Sequence, residues 1–349
     1  MRWRLPLLTG LAFVLAAAPL YAQSVPDTVT VTARGQTAPV GTANDDAADD
    51  PAIWRNAAWP AASLIVATDK KQGLYVYGLD GAVKSFTAAG RVNNVALASM
   101  GARGVIVVAS DRNDVGAAKL QLYRLDTRRG TLAPLGAVEG GAGEAYGVCL
   151  WRKGATLHAY SVLKHGAIHQ IAIDLRGNAP TARSRRTLRL ETQTEGCVVD
   201  GRTGTLYVGE EDRGIWSFDA REGGSTAPRL IAPVDGQHLV ADVEGLALWP
   251  QGRRGGFLVA SSQGDNAYAL YRLPGMNPAG RFRIGAGAFG ATEETDGIEL
   301  APGNFGRAYP AGLFIAQDGD NAPAAQNFKL VSWRDVQRAL RRRIADTKP

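Results

Sequence analysis

The sequence predicts an all-β fold, a six-bladed β-propeller, on three observations. A short phrase recurs roughly every 40 to 50 residues, the signature of a ring of repeated sheets. Its copies are DDPAIW from Asp49, NNVALA from Asn93, EAYGVCL from Glu144, QTEGCVV from Gln193, DVEGLAL from Asp242 and ETDGIEL from Glu294. A second apolar run follows each copy and ends in polar residues: SLIVATDK, GVIVVASDR, TLHAYSVLKH, LYVGEED, FLVASSQGD and GLFIAQDGD. Finally, the clearest unit, residues 193–219, divides into three short runs rich in β-branched and aromatic residues, punctuated by Gly and Asp as in an antiparallel meander.

In chain order, residues 1–22 carry Arg2 and Arg4 ahead of the apolar run LPLLTGLAFVLAAAPL and read as a secretory signal cleaved after Ala22. The mature protein is then expected to be exported, either periplasmic or secreted. Residues 23–44 form a polar linker containing DTVTVTAR, from which residues 29–33 are predicted to supply the outer strand that closes the last blade. Residues 45–333 make the propeller. In residues 334–349 the run RDVQRALRRRI, with Ser332 before it and Asp335 at its start, resembles a capped basic helix and is expected to be solvated. Cys149 and Cys197 are too few for a disulfide scaffold. They fall in neighbouring inner strands and are expected as two separate buried thiols, although an exported compartment permits a bond.

The formal charge of +6 falls by two, to +4, without Arg2 and Arg4. So mild an excess accords with an anionic partner, and the lack of a basic stripe with interleaved aromatics argues against nucleic acid. No segment after the first is long and apolar enough to span a bilayer. A monomer with no membrane partner is expected.

Antiparallel pairing puts the start of one strand and the end of the next at the same edge of a sheet. The phrase openings and the ends of the second runs should therefore meet at one mouth of the central channel. The openings bring Asp49, Asp50, Asn93, Asn94, Glu144, Tyr146, Glu195, Asp242, Glu244, Glu294 and Asp296. The second runs bring Asp69, Lys70, Asp111, Arg112, Lys164, His165, Glu210, Glu211, Asp212, Gln263 and Asp318. So many carboxylates repel one another unless cations sit among them. Oxygen donors without paired His or Cys point to a hard ion such as Ca²⁺, which takes about 6 to 8 oxygen ligands. Lys70, Arg112 and Lys164, on three successive blades, fit a polyphosphorylated substrate. The same bases would equally serve as ion-pair partners of the acids.

At these residues the chain resembles the β-propeller phytases. Matching phrases include DAADDPAIW from Asp46, TDKKQGLYVY from Thr68, EEDRGIW from Glu210, DVEGL from Asp242, SSQGDNAYALY from Ser261, and YPAGLFIAQDGDN with QNFKLVSW between Tyr309 and Trp333. The resemblance covers about residues 45–333. It implies a calcium-dependent phosphomonoester hydrolase, a 3-phytase type enzyme that removes phosphate from myo-inositol hexakisphosphate, taken as its calcium complex, with several calcium ions activating the attacking water. In that assignment Asp50, Glu195, Glu210, Glu244 and Asp296 are metal ligands, and Asp49, Glu211 and Asp242 support catalysis. Lys70, Arg112, Tyr146, Lys164 and His165 bind substrate phosphates.

The chain departs from the family phrase NNVDIR at Ala96 and Ala98, and has His165 where Glu is usual. Either a calcium site is weakened or, at Ala96, an apolar strand is merely repacked. Two other classes of function compete: a non-catalytic exported calcium-binding propeller that takes a ligand or protein, and a metal-dependent lactonase. Retention of Lys70 and Arg112 together with Glu195, Glu210 and Glu244 favours catalysis, because a structural cation has no use for phosphate-facing bases.

Overall fold

Each recurring phrase supplies the innermost strand of one sheet. The computed structural model describes residues 28–43 and 45–346, so the expected signal segment, residues 1–22, lies outside it. Blade I comprises Ala48–Trp54, Leu64–Asp69, Gly73–Gly78 and Val83–Ala88 in that order from the channel outward. Blades II to V repeat this antiparallel four-strand order from the inner strands Val92–Ser99, Ala145–Lys153, Thr194–Asp200 and Val243–Gln251. Blade VI has only three strands of its own, Ile298–Ala301, Leu313–Asp318 and Asn327–Ser332. The inner strands touch one another in ring order around the channel, with Ile298–Ala301 returning to Ala48–Trp54.

The core lies between blades. Leu64–Asp69 is buried along its whole length, and its side chains alternate as a strand requires. Ile65 and Ala67 pack with Ile315 and Phe328 of blade VI, while Leu64 and Val66 pack with Val105 and Val107 of blade II. That two-sided burial is why the second runs read as almost unbroken apolar stretches.

The N-terminal segment closes the ring as expected, but through residues other than 29–33. Val29–Thr32 pairs in parallel with Asn277–Gly285 and makes blade V five-stranded. The last blade is completed instead by Gly35–Gln36, antiparallel to Asn327–Ser332. The alternation in VTVT suits an outer edge: Val31 is buried with Phe282 and Trp333, and the threonines face outward. The chain then turns through Arg34, held by Asp335 at 2.6 Å, before reaching blade VI.

Two further expectations are corrected. The helix Trp333–Asp346 is not solvated on all sides, since Trp333 and Val336 are fully buried against Val31, Phe282 and Phe314. Cys149 and Cys197 are joined in a disulfide rather than standing as separate thiols. Their strands are neighbours in the ring, and the Cα atoms stand 5.7 Å apart, a span a disulfide bridges. Among the described residues no helix is long and apolar enough to cross a membrane.

Candidate active site at the channel mouth

The site residues stand in a repeated defect. In five blades the pairing of the inner strand with the second strand breaks at its start, between Ala48 and Pro51, Val92 and Val95, Ala145 and Val148, Thr194 and Cys197, and Val243 and Leu246. The residues inside these bulges include Asp49, Asp50, Asn93, Asn94, Tyr146, Glu195 and Glu244. A bulge releases side chains from the regular ladder and re-aims them. The freed amides find other acceptors: Asp50 N donates to Thr68 Oγ1 at 2.9 Å, Asn94 N to Ser110 Oγ at 2.8 Å, and Gly245 N to the Asp296 carbonyl at 2.9 Å. The glycine after Glu195 has a steric cause as well. A Cβ on Gly196 would lie 2.1 Å from the Glu244 carbonyl oxygen, so only glycine lets successive inner strands approach this closely.

Glu195, Glu211 and Glu244 are all buried and present oxygens that lie within 4.8 Å of one another. Glu211 Oε1, Glu244 Oε2 and the nearby Asp49 Oδ1 are buried with no hydrogen-bond partner among the described residues. Burial, reinforced by the charges of Asp49, Glu244 and Asp296, pushes the Glu195 carboxyl well above the ordinary range. Burial does the same to Glu244, with Asp296, Glu211 and Asp49 adding to it. Glu211 is pushed up to about 7, again chiefly by burial, with a hydrogen bond from Gln193 opposing. Carboxyls that retain protons for want of a counter-charge, with orphaned oxygens converging on one point, fit a hard divalent cation.

Lys70 is set into the same wall. Its Nζ lies 2.7 Å from Asp46, 3.1 Å from Asp49 and 3.0 Å from Asp296. Burial alone would lower its pKa, but Asp49, Asp296, Asp46 and Glu195 more than reverse this and hold the ammonium charged. Asp296 is raised to about 7 by burial against the pull of Lys70, and its Oδ1 accepts from Gln263 Nε2 at 2.7 Å. Asn93 Nδ2 donates to Glu195 Oε1 at 2.9 Å, which orients that carboxylate.

A basic wall adjoins the carboxylates. The Lys164 ammonium and the Arg112 guanidinium stand 4.9 and 5.7 Å from the centre of the Tyr146 ring, close enough for attraction to its π face. Arg112 Nη1 reaches Glu144 at 3.6 Å, and its buried Nε has no partner among the described residues. That leaves donor capacity for an anionic ligand.

Several candidates from the sequence stand elsewhere. Glu210 is turned away from Glu195: its Oε1 accepts from the amides of Glu191 and Thr192 and from Thr192 Oγ1, at 2.9, 2.7 and 2.8 Å. Glu210 ends its strand and Glu211 opens the β-turn closed by Arg213 N donating to the Glu210 carbonyl at 3.0 Å, and that turn puts Glu211 in the place expected of Glu210. Asp50 faces down the channel, where its Oδ2 accepts from Val95 N at 3.0 Å and the lining includes Asn94 and Glu299. His165 is exposed, with its ring against Gly143 and beside His169. Asp242 stays at the half-buried rim, its carboxyl raised by burial and by Asp212. Ala96 and Ala98 pack at the edge of an apolar cluster with Ile106 and Val108. Asp46 and Gln193 join the site although the sequence marks them only as the openings of DAADDPAIW and QTEGCVV.

Fold and mouth together define a class, a β-propeller with an acidic, metal-accepting mouth flanked by anion-binding bases. The phytase family model matches residues 5–347. A 3-phytase of Bacillus subtilis (strain 168) is 37% identical over 328 residues, covering 89% of this chain and 85% of that protein. A chain in the crystal structure of the Mitotic Checkpoint Complex matches with a TM-score of 0.51 at 17% identity, over 93% of this chain and 85% of its own, which is a likeness of fold alone. The chain belongs to the phytase family. Membership implies dependence on a metal, in keeping with the donors at the mouth.

Proposed function

We propose that the protein is a calcium-dependent phytase that releases phosphate from myo-inositol hexakisphosphate by in-line attack of water. The observation that carries this reading is the convergence of Glu195, Glu211 and Glu244, with unpartnered buried oxygens, beside the bases Lys70, Arg112 and Lys164. Six phosphates bring about −9 to −12 charges near neutral pH, which bare carboxylates would repel. Calcium, when bound, would cancel that repulsion and act as a Lewis acid on a phosphoryl oxygen. Glu195, Glu211 and Glu244 would hold it, with Asp296 as a further oxygen donor.

The remaining work falls to the chain's own groups. Arg112 forks onto two phosphate oxygens while the Lys164 ammonium takes a third, both steadied by Tyr146. Lys70, fixed by Asp49 and Asp296, offsets charge that grows on the phosphoryl group during transfer. Asp49, with its unpaired Oδ1, accepts the proton of the attacking water, and Asp242 lines the rim by which substrate enters. Glu210 and Asp50 act by positioning, one pinning the 191–192 loop and the other the start of blade II. The same reading includes several calcium ions, a monomer, and export through the N-terminal signal.

The test is phosphate release from phytate by purified protein with calcium and with chelator. Calcium-dependent release that is lost in Glu211→Gln and Lys164→Met is expected. Calcium binding without release at any pH from about 5 to 9 would leave a non-catalytic propeller instead.

A further inference from the structure

The end of the propeller opposite the mouth carries the opposite charge. Strand order gathers there the turns that join first to second strands in all six blades and third to fourth strands in blades I to V. Those turns hold arginines and no lysine, and among the described residues their only carboxylates are Asp80 and Glu222. At the strand ends Asp126, Asp174, Asp200 and Asp219 take Arg129, Arg176, Arg202 and Arg221 in local ion pairs. The surplus rests on Arg55, Arg103, Arg128, Arg253, Arg254 and Arg307, none of which makes a close ion pair among the described residues, Arg103 and Arg128 feeling only the more distant charges of Asp174 and Asp126.

An apolar side chain projects from the same end. Trp59, in the turn between the first two strands of blade I, is 74% exposed, more than any other large apolar side chain described. Its turn sits between basic neighbours: Ala61 and Ala62 share the wall of one cavity with Arg128 and Arg129 of blade II, and Ala61 also faces Gly306, next to Arg307 of blade VI.

Unpaired guanidinium groups around a projecting indole suit a bilayer interface, where arginine reaches lipid phosphates and tryptophan settles at headgroup depth. We propose that this face docks the protein peripherally on an anionic phospholipid bilayer, with the acidic mouth turned to solution. The proposal departs from the expectation of no membrane partner, which rested on the lack of a spanning segment. Interfacial docking needs none.

The experiment is co-sedimentation of calcium-loaded protein with vesicles of phosphatidylcholine alone and of phosphatidylcholine mixed with phosphatidylglycerol. Binding to the anionic vesicles only, lost at high salt, is expected. Arg128→Glu with Arg307→Glu should weaken it on the order of tenfold or more, and Trp59→Ala several-fold. Phosphate release should be unchanged in both variants, which also reports that they fold; Arg253→Glu with Arg254→Glu on blade V is the second variant should the first pair unfold. Absence of binding to anionic vesicles at low salt would overturn the proposal. So would undiminished binding by the arginine variants, which would assign attachment to calcium bridging at the mouth. Retention on dextran sulfate without vesicle binding would point to a soluble polyanion and overturn it equally.

Discussion

Replacing Lys70 by methionine keeps most of the packing of its stem and removes the ammonium that joins Asp46, Asp49 and Asp296. The three acids will not suffer equally. Asp46 has 62% of its side chain exposed and falls back on water, whereas Asp49 and Asp296 keep only 1% and 16% exposed. Removing one partner of a buried pair typically costs about 3–5 kcal/mol. Because Asp49 alone is fully enclosed, we expect the lower end, about 3 kcal/mol, for metal-free protein at pH 8. The loss should shrink at pH 5. Asp296, raised to about 7, is protonated there and needs no counter-charge, while Lys70 in the parent, with its raised pKa, stays charged at both pH values. Urea unfolding of both proteins at the two pH values in chelator measures the effect. A loss below about 1 kcal/mol at pH 8, the scale of a surface ion pair, or a larger loss at pH 5 than at pH 8, would refute the reasoning.

The disulfide closes a sequence separation of 48 residues, so Cys149→Ser with Cys197→Ser should lower stability by about 4 kcal/mol on the chain-entropy estimate. In thermal scans that is a drop of about 6 °C, and an unmoved midpoint would count against it. Glu195, Glu211, Glu244 and Asp296 are raised by burial, the second and fourth to about 7, so a cation must displace protons near neutral pH. Calcium affinity should therefore rise from pH 5 to 8, with a calorimetric heat that varies with the buffer's ionisation enthalpy. The same raised carboxyls bind more protons folded than unfolded, so metal-free protein should lose stability as pH climbs from the ordinary carboxylate range towards 7. Glu211→Gln should weaken calcium binding on the order of tenfold or more. Glu210→Ala should leave it near the parent value but destabilise the fold by about 1–3 kcal/mol by stranding the amides of Glu191 and Thr192; equal effects on calcium binding would contradict the assignment.

The mouth was legible in the sequence because Glu195, Glu244 and Asp296 occupy equivalent places in one repeated phrase. Symmetry of the ring then brings equivalent places together without further information. The choice between Glu210 and Glu211 was not legible, since it depends on the residue at which the strand gives way to the turn. The directions of the Asp50 and His165 side chains were hidden for a related reason: a bulge or a turn re-aims a side chain without changing the repeat. The cysteine pair and the closing strand depended on contacts between chain segments far apart in sequence.

What the sequence determined by itself is periodic: strands of alternating and doubly buried character, six copies of them, and an acidic end to each. These follow from local side-chain chemistry repeated along the chain. Only the tertiary structure decided which oxygens meet, which bases stand beside them, and where Val29–Thr32 and Gly35–Gln36 dock. Those outcomes depend on the relative register of strands in different blades, and on the depth of burial that sets whether a carboxyl keeps its proton.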